Sequence, residues 1–244
     1  MIRLQGVYKA FKRPVLSNID LLVPEGTLTG LIGPGASGKS LVLKTICGLL
    51  VPDSGAVHVA GRDVLALNTL ELGEYRKGIG MVFQNNALFD FMTVGDNVAF
   101  PLRRLFHLDE SEIEHRVSER LERVGLAGFE NRYPPGLSGG QKKRVAVARA
   151  TVTSAPIVLY DEPAAGLDPV TSQRIFDLLR DEQQRARSTV IMVSSDIDRL
   201  LTVTDRVGLM HEGEIVFEGT TGEAFGSNDP IVRQFLRGEV EGPL

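Results

Sequence analysis

The stretch Gly33-Pro34-Gly35-Ala36-Ser37-Gly38-Lys39-Ser40 constrains the fold more than any other part of this chain. It follows an apolar run, Leu28 to Ile32, that reads as a buried strand, and it precedes Leu41 to Ile46, which reads as a helix. Glycine, four free positions, glycine, lysine and serine between strand and helix make a phosphate loop. The glycines let the backbone curl so that successive N–H groups face inward at phosphate oxygens. The helix start adds partial positive charge. Lys39 then reaches the β- and γ-phosphates of a nucleotide, and the Ser40 hydroxyl ligates Mg²⁺.

Around this loop the pattern is that of an α/β protein. Ile2 to Leu4, Ile19 to Val23, Val57 to Gly61 and Ile79 to Gln84 read as strands, as do the fully apolar runs Ile157 to Tyr160 and Thr189 to Val193. A helix is expected over Ser172 to Arg187, and a hairpin turning at Glu212-Gly213. Buried strands alternating with helices imply a mostly parallel sheet. From about residue 96 to 152 the pattern is helical, so a helical block interrupts the core.

Two further segments carry chemistry. Leu137-Ser138-Gly139-Gly140-Gln141 opens a helix with small polar residues and glycines, a second place suited to an anion. The strand Ile157 to Tyr160 ends in Asp161-Glu162. Adjacent carboxylates at the carboxyl end of a parallel strand lie at the usual ligand crevice of such sheets. There Asp161 is placed to hold Mg²⁺ through water, and Glu162 to polarise an attacking water.

Composition narrows the class. A net charge of −4 over 244 residues argues against nucleic acid as the main partner. The single cysteine, Cys47, reads as an apolar packing residue and fits a reducing compartment. No apolar run reaches the roughly 18 residues that cross a bilayer, and the first residues lack a signal-peptide pattern, so a membrane role is expected to come through a partner.

The order of the phosphate loop, Gln84, the Leu137–Gln141 stretch, Asp161-Glu162 and Ala165-Gly166-Leu167-Asp168 resembles the ATP-binding cassette (ABC) ATPases over nearly the whole chain. The resemblance implies an ABC-type phosphate-loop fold with an antiparallel amino-terminal β subdomain. Its core would be 1–84 and 155–225, its helical subdomain about 85–154 and its tail 226–244. It also implies a head-to-tail dimer with ATP and Mg²⁺ between one copy's phosphate loop and the other's Ser138, Gly139, Gly140 and Gln141. Asp168 would help position water, Gln84 would sense Mg²⁺, and Phe11 would stack on adenine. The alternatives for Phe11 are a core role, with Tyr8 as the stacker. The family usually has histidine where this chain has Ser195, in Val193-Ser194-Ser195-Asp196. Serine is shorter and uncharged, which predicts weak basal hydrolysis.

The segment from Gln84 to Arg103 and the stretch Asp229 to Gly238 are similar to ATPases of Mla/Mce-type phospholipid transporters. That similarity implies an integral-membrane permease, an Mce-domain subunit and a small accessory subunit as partners, at the cytoplasmic side of an inner membrane. Leu88, Phe89, Phe91 and Met92 would form the socket for a permease helix; the alternative is that they pack the helical insertion itself. In longer relatives the tail continues and clasps the second subunit, an expectation that a chain ending at Leu244 weakens. The rival expectations are an ATPase serving another cargo, such as amino acids or metals, and a nucleotide-gated scaffold with little turnover.

Overall fold

The computed structural model describes residues 1–243. In chain order the strands and helices are β1 (Ile2–Ala10), β2 (Pro14–Val23), β3 (Leu28–Ile32), α1 (Lys39–Ile46), β4 (Ser54–Val59), β5 (Arg62–Asp63), α2 (Thr69–Lys77), β6 (Ile79–Val82), α3 (Val94–Leu105) and α4 (Glu110–Arg123). They continue with α5 (Gly139–Thr151), β7 (Ile157–Asp161), α6 (Pro169–Ala186), β8 (Thr189–Val193), α7 (Ile197–Val203), β9 (Arg206–His211), β10 (Glu214–Thr220), α8 (Thr221–Phe225) and α9 (Pro230–Arg237). The chain divides into two compact units: Met1–Glu74 with the segment from Thr189 onward, and Tyr75–Ser188.

In the first unit the strand order is β5-β4-β1-β2-β10-β9-β3-β8. β1 pairs antiparallel with both β2 and β4, whereas β3 lies parallel to both β8 and β9. The antiparallel part shows alternating burial (Ile2, Leu4 in; Arg3, Gln5 out), as a half-covered sheet requires. Every residue of β3 and of β8 is buried, which is why both read as continuous apolar runs. β9 and β10 turn at Glu212-Gly213 with positive φ at both residues (48° and 82°), the backbone of a tight hairpin.

In the second unit β6 and β7 pair in parallel, Ile79 opposite Ile157 and Val82 opposite Tyr160. Helix α5 packs on α3, α4 and α6. Arg120 of α4 and Glu182 of α6 meet as an ion pair that is nine-tenths buried. Removing one partner of such a pair costs about 3–5 kcal/mol, because the other charge stays buried.

Two expectations need correction. The helical pattern from about 96 to 152 is broken: residues 124–138 form turns and a short 3₁₀ segment at Pro134–Gly136. Gly125 and Gly128 take positive φ there and two prolines follow, none of which continues an α-helix. The first strand runs to Ala10 rather than stopping at Leu4, because Tyr8, Lys9 and Ala10 pair with Ser17, Leu16 and Pro14. The carboxyl-terminal residue of the expected tail 226–244, Leu244, lies outside the described residues.

Candidate functional site

The first unit carries the phosphate loop. β3 ends at Ile32 and α1 begins at Lys39, so Gly33–Gly38 is the connection itself. Gly33 (φ 144°), Ala36 (61°) and Gly38 (100°) all have positive φ. The curl is tight. A Cβ on Gly33 would lie 2.1 Å from the Met210 carbonyl oxygen, and one on Gly38 would lie 2.8 Å from Leu16 Cδ2 and 3.0 Å from the Val15 oxygen. No side chain caps α1, and its first turn holds no acidic residue. That is the local chemistry of a helix start built for an anion. Lys39 Nζ donates to Gly33 O (2.9 Å), Pro34 O (2.7 Å) and Ser37 Oγ (3.1 Å), so the cation is held over its own loop.

Phe11, between β1 and β2, is 62% exposed, which overturns a core role for it. Tyr8 is half-buried. The Phe11 loop is anchored by Asp53, which directly precedes β4. Asp53 accepts hydrogen bonds from the Ala10 N–H (2.8 Å) and from Lys9 Nζ (2.7 Å), and Lys9 Nζ sits 5.7 Å from the Phe11 ring centre. The Ala10 N–H first, and then Lys9, hold the Asp53 carboxyl below its ordinary value. Ser195 is exposed, directly after the buried end of β8 and before Asp196, which caps α7.

The second unit carries the remaining candidates. Ser138 caps α5 in a reciprocal box: its Oγ accepts from the Gln141 N–H (3.3 Å), and Gln141 Oε1 accepts from the Ser138 N–H (2.9 Å). A Cβ on Gly140 would lie 2.8 Å from Thr171 Cγ2, so α6 approaches α5 too closely for a larger residue there. Ser138 and Gly139 are exposed. Asp161, 5% exposed, ends β7, and Glu162 follows with φ 51°. A non-glycine residue in that region stores about 1–3 kcal/mol of backbone strain. Asp168 accepts from the N–H groups of Val170 and Thr171 (both 3.0 Å) as the cap of α6. Thr171, through its side chain and then its N–H, lowers the Asp168 carboxyl. Gln84 is exposed just beyond β6.

Three functional candidates in this unit are not marked by any sequence motif. Lys143 is 5% exposed and donates to Gln84 O (2.7 Å) and Glu162 O (3.2 Å). Burial pushes its ammonium below the ordinary value, against the pull of the Glu162 and Asp161 carboxylates. Arg149 donates to Asn86 O (2.6 Å) and Ala87 O (2.7 Å). Asn97, fully buried, binds the backbone of Phe89, Met92 and Thr93 and fixes the loop before α3. Their signal is faint: Lys143 sits at helical spacing with Ala146, Val147 and Ala150, all buried, so it is a cation on an apolar stripe.

A cavity of about 350 Å³ opens between Ile79, Met81, Phe83, Phe89, Phe100 and Leu105. Of the four residues expected to form a socket, only Phe89 lines it, and Phe91 is 80% exposed. Taken singly, the Ser40 hydroxyl, the Gln84 amide and the buried Asp161 carboxylate are hard oxygen donors of the kind Mg²⁺ accepts. A metal held largely by substrate phosphates needs few of them. Among the described residues no three His, Cys, Asp or Glu side chains cluster as an independent metal site. No helix among them is long and apolar enough to cross a membrane.

Comparison with known proteins bears on the family and the fold. The family model described as "ABC transporter" matches residues 16–165. The chain is 38% identical over 244 residues to the "Probable ribonucleotide transport ATP-binding protein mkl" of Mycobacterium leprae, covering all of this chain and 70% of that one. It is 38% identical over 237 residues to the "Intermembrane phospholipid transport system ATP-binding protein MlaF" of Haemophilus influenzae, covering 97% and 90%. Among solved structures, the ATP-binding cassette MJ0796, a dimer in a post-hydrolysis state with ADP and Pi, superposes with a TM-score of 0.84. It is 33% identical, covering 91% of this chain and 99% of that one.

Proposed function

The chain belongs to the ABC transporter family as an ATP-binding subunit, and on that premise we propose that it powers phospholipid transport between bacterial membranes as a head-to-tail dimer on a permease. The observation that carries the ATP-driven part is the uncapped, positive-φ loop Gly33–Ser40 with Lys39 over it. The cargo assignment rests on the match to the phospholipid protein MlaF, which spans 90% of that protein. The MJ0796 cassette is dimeric in its solved structure, which supports pairing of two copies here.

In this reading the loop N–H groups and Lys39 bind the triphosphate, and Phe11 stacks on the base. Ser138, Gly139, Gly140 and Gln141 of a second copy close over the γ-phosphate. Ser40, Gln84 and Asp161 would hold Mg²⁺, whose charge offsets that of the phosphates. Glu162 accepts the proton of the attacking water. The water oxygen bonds to the γ-phosphorus, the bond to the bridging oxygen breaks, and ADP and phosphate leave. Asp168 helps orient that water, and Ser195 supplies a hydroxyl where an imidazole would give more charge stabilisation. We assign segment 85–154 as the helical subdomain that carries the motion to the permease. The Phe89-lined cavity is its socket.

The test is to isolate the native complex through this subunit and identify its proteins and lipids by mass spectrometry. A permease with an Mce-domain subunit, a small accessory subunit and bound phospholipid supports the proposal. A permease with a ribonucleotide or an amino acid in place of lipid overturns the cargo assignment.

A further inference from the structure

Two cations on one helix hold the loops that carry the proposed chemistry. Lys143 and Arg149 project from α5, and between them they bind the carbonyl oxygens of Gln84, Asn86 and Ala87. Lys143 alone also reaches the carbonyl of Glu162. Both segments depart from relaxed geometry. Asn86 and Ala87 have φ of 63° and 51°, Glu162 has 51°, and Asn86 Oδ1 is buried with no hydrogen-bond partner. Such backbone persists only where its surroundings over-determine it. An ammonium is a compact cation with three donors, so one side chain can serve two carbonyl dipoles that point at one spot.

We propose that Lys143 is a positioning residue for ATP hydrolysis. It fastens the backbone of Gln84 and of Glu162 to α5, the helix whose first turn is Ser138–Gln141. The inference rests on the roles assigned above to Gln84, Glu162 and the Ser138 turn. It adds a consequence: engagement of that turn by a nucleotide on a second copy acts on a rod already tied to the water-activating carboxylate. Arg149 fixes the far side of the Gln84 loop, so the segment moves with α5 as one piece.

The experiment compares the parent with Lys143→Met, which keeps the length and removes every donor, and Lys143→Gln, which keeps an amide able to donate to both carbonyls. Three quantities are read: kcat and KM for ATP, ATP-binding stoichiometry, and amide hydrogen exchange over 84–88 and 162–166. Expected for Lys143→Met is full ATP-binding stoichiometry, an unchanged KM, a kcat lower by about tenfold to a hundredfold, and faster exchange in both segments. Lys143→Gln recovers most of the rate and the protection. A kcat within twofold of the parent in Lys143→Met overturns the proposal, as does a loss of rate that only follows lost binding stoichiometry. Glu162→Gln is the control for the underlying assignment. If it hydrolyses ATP at the parental rate, the role of Glu162 fails, and exchange alone then decides the tether. Unchanged exchange in Lys143→Met overturns it, and faster exchange restored by Lys143→Gln upholds it.

Discussion

The helices α1 and α5 both begin with small residues and glycine, and both offer N–H groups to an anion, yet they are finished in opposite ways. α1 has no side-chain cap and enters through three residues of positive φ. α5 is closed on itself by the Ser138–Gln141 box. An uncapped, strained terminus is completed by its ligand, so nucleotide contributes to its stability. A self-capped terminus is complete beforehand and can wait, exposed, for a phosphate presented by another molecule. In the proposed reading the first holds ATP and the second meets it.

The contrast breaks first at Gly38. Gly38→Ala forces a Cβ against Leu16 and the Val15 carbonyl at φ 100°. ATP affinity, measured by equilibrium titration, should fall about a hundredfold, a few kcal/mol of strain by the usual cost of left-handed backbone and overpacking. Gly139→Ala, whose Cβ meets only Leu167 Cδ2 at 3.2 Å, should leave the affinity of the single chain unchanged when both proteins are titrated at a dilution that keeps them monomeric. Equal losses at both glycines would erase the distinction. The next effect concerns chemistry on the holding side. Ser195→His should raise purified turnover about tenfold, part of the hundredfold that one electrostatic donor commonly supplies. An unchanged rate would show that Ser195 is no deficit.

A smaller effect sharpens the meeting side. Ser138→Ala removes half of the box and should cost about 1 kcal/mol, a drop in Tm of about 2–4 °C. No change in Tm would mean that the turn is not self-supporting. The smallest effect concerns Phe11. The folded carboxyl of Asp53 lies below its ordinary 3.8, so its contribution is present above that value and is lost as pH falls through the depressed one. ATP affinity should therefore be insensitive to this group between pH 5 and 8. Asp53→Asn should weaken affinity about twofold to fivefold at pH 7. A stronger dependence of the parent near pH 6 would contradict that sign.

Much of this was legible in the order of residues, for definable reasons. Motifs whose chemistry is local and backbone-driven, such as Gly33–Ser40 and Ser138–Gln141, announce themselves, because glycine, lysine and a capping pair have few other uses at that spacing. The buried runs of β3, β7 and β8 read as strands because parallel strands are covered on both faces. What stayed hidden depends on partners distant in sequence. Lys143 meets Gln84, 59 residues away, and Asp53 meets Lys9, 44 residues away. No periodicity encodes such a meeting. The cavity lining stayed hidden for the same reason: Phe100 and Leu105 reach it from α3, while Phe91, adjacent to Asp90 in the loop, is exposed.

The central claim is a nucleotide site completed by two copies, one holding ATP and the other meeting it. The most direct test is the mass in solution of the Glu162→Gln protein with saturating ATP and Mg²⁺, by light scattering during size exclusion. A shift from monomer to dimer that requires ATP, and that is abolished by Gly139→Ala, is the predicted result. A mass that stays at one chain of 26.6 kDa under those conditions would contradict the account.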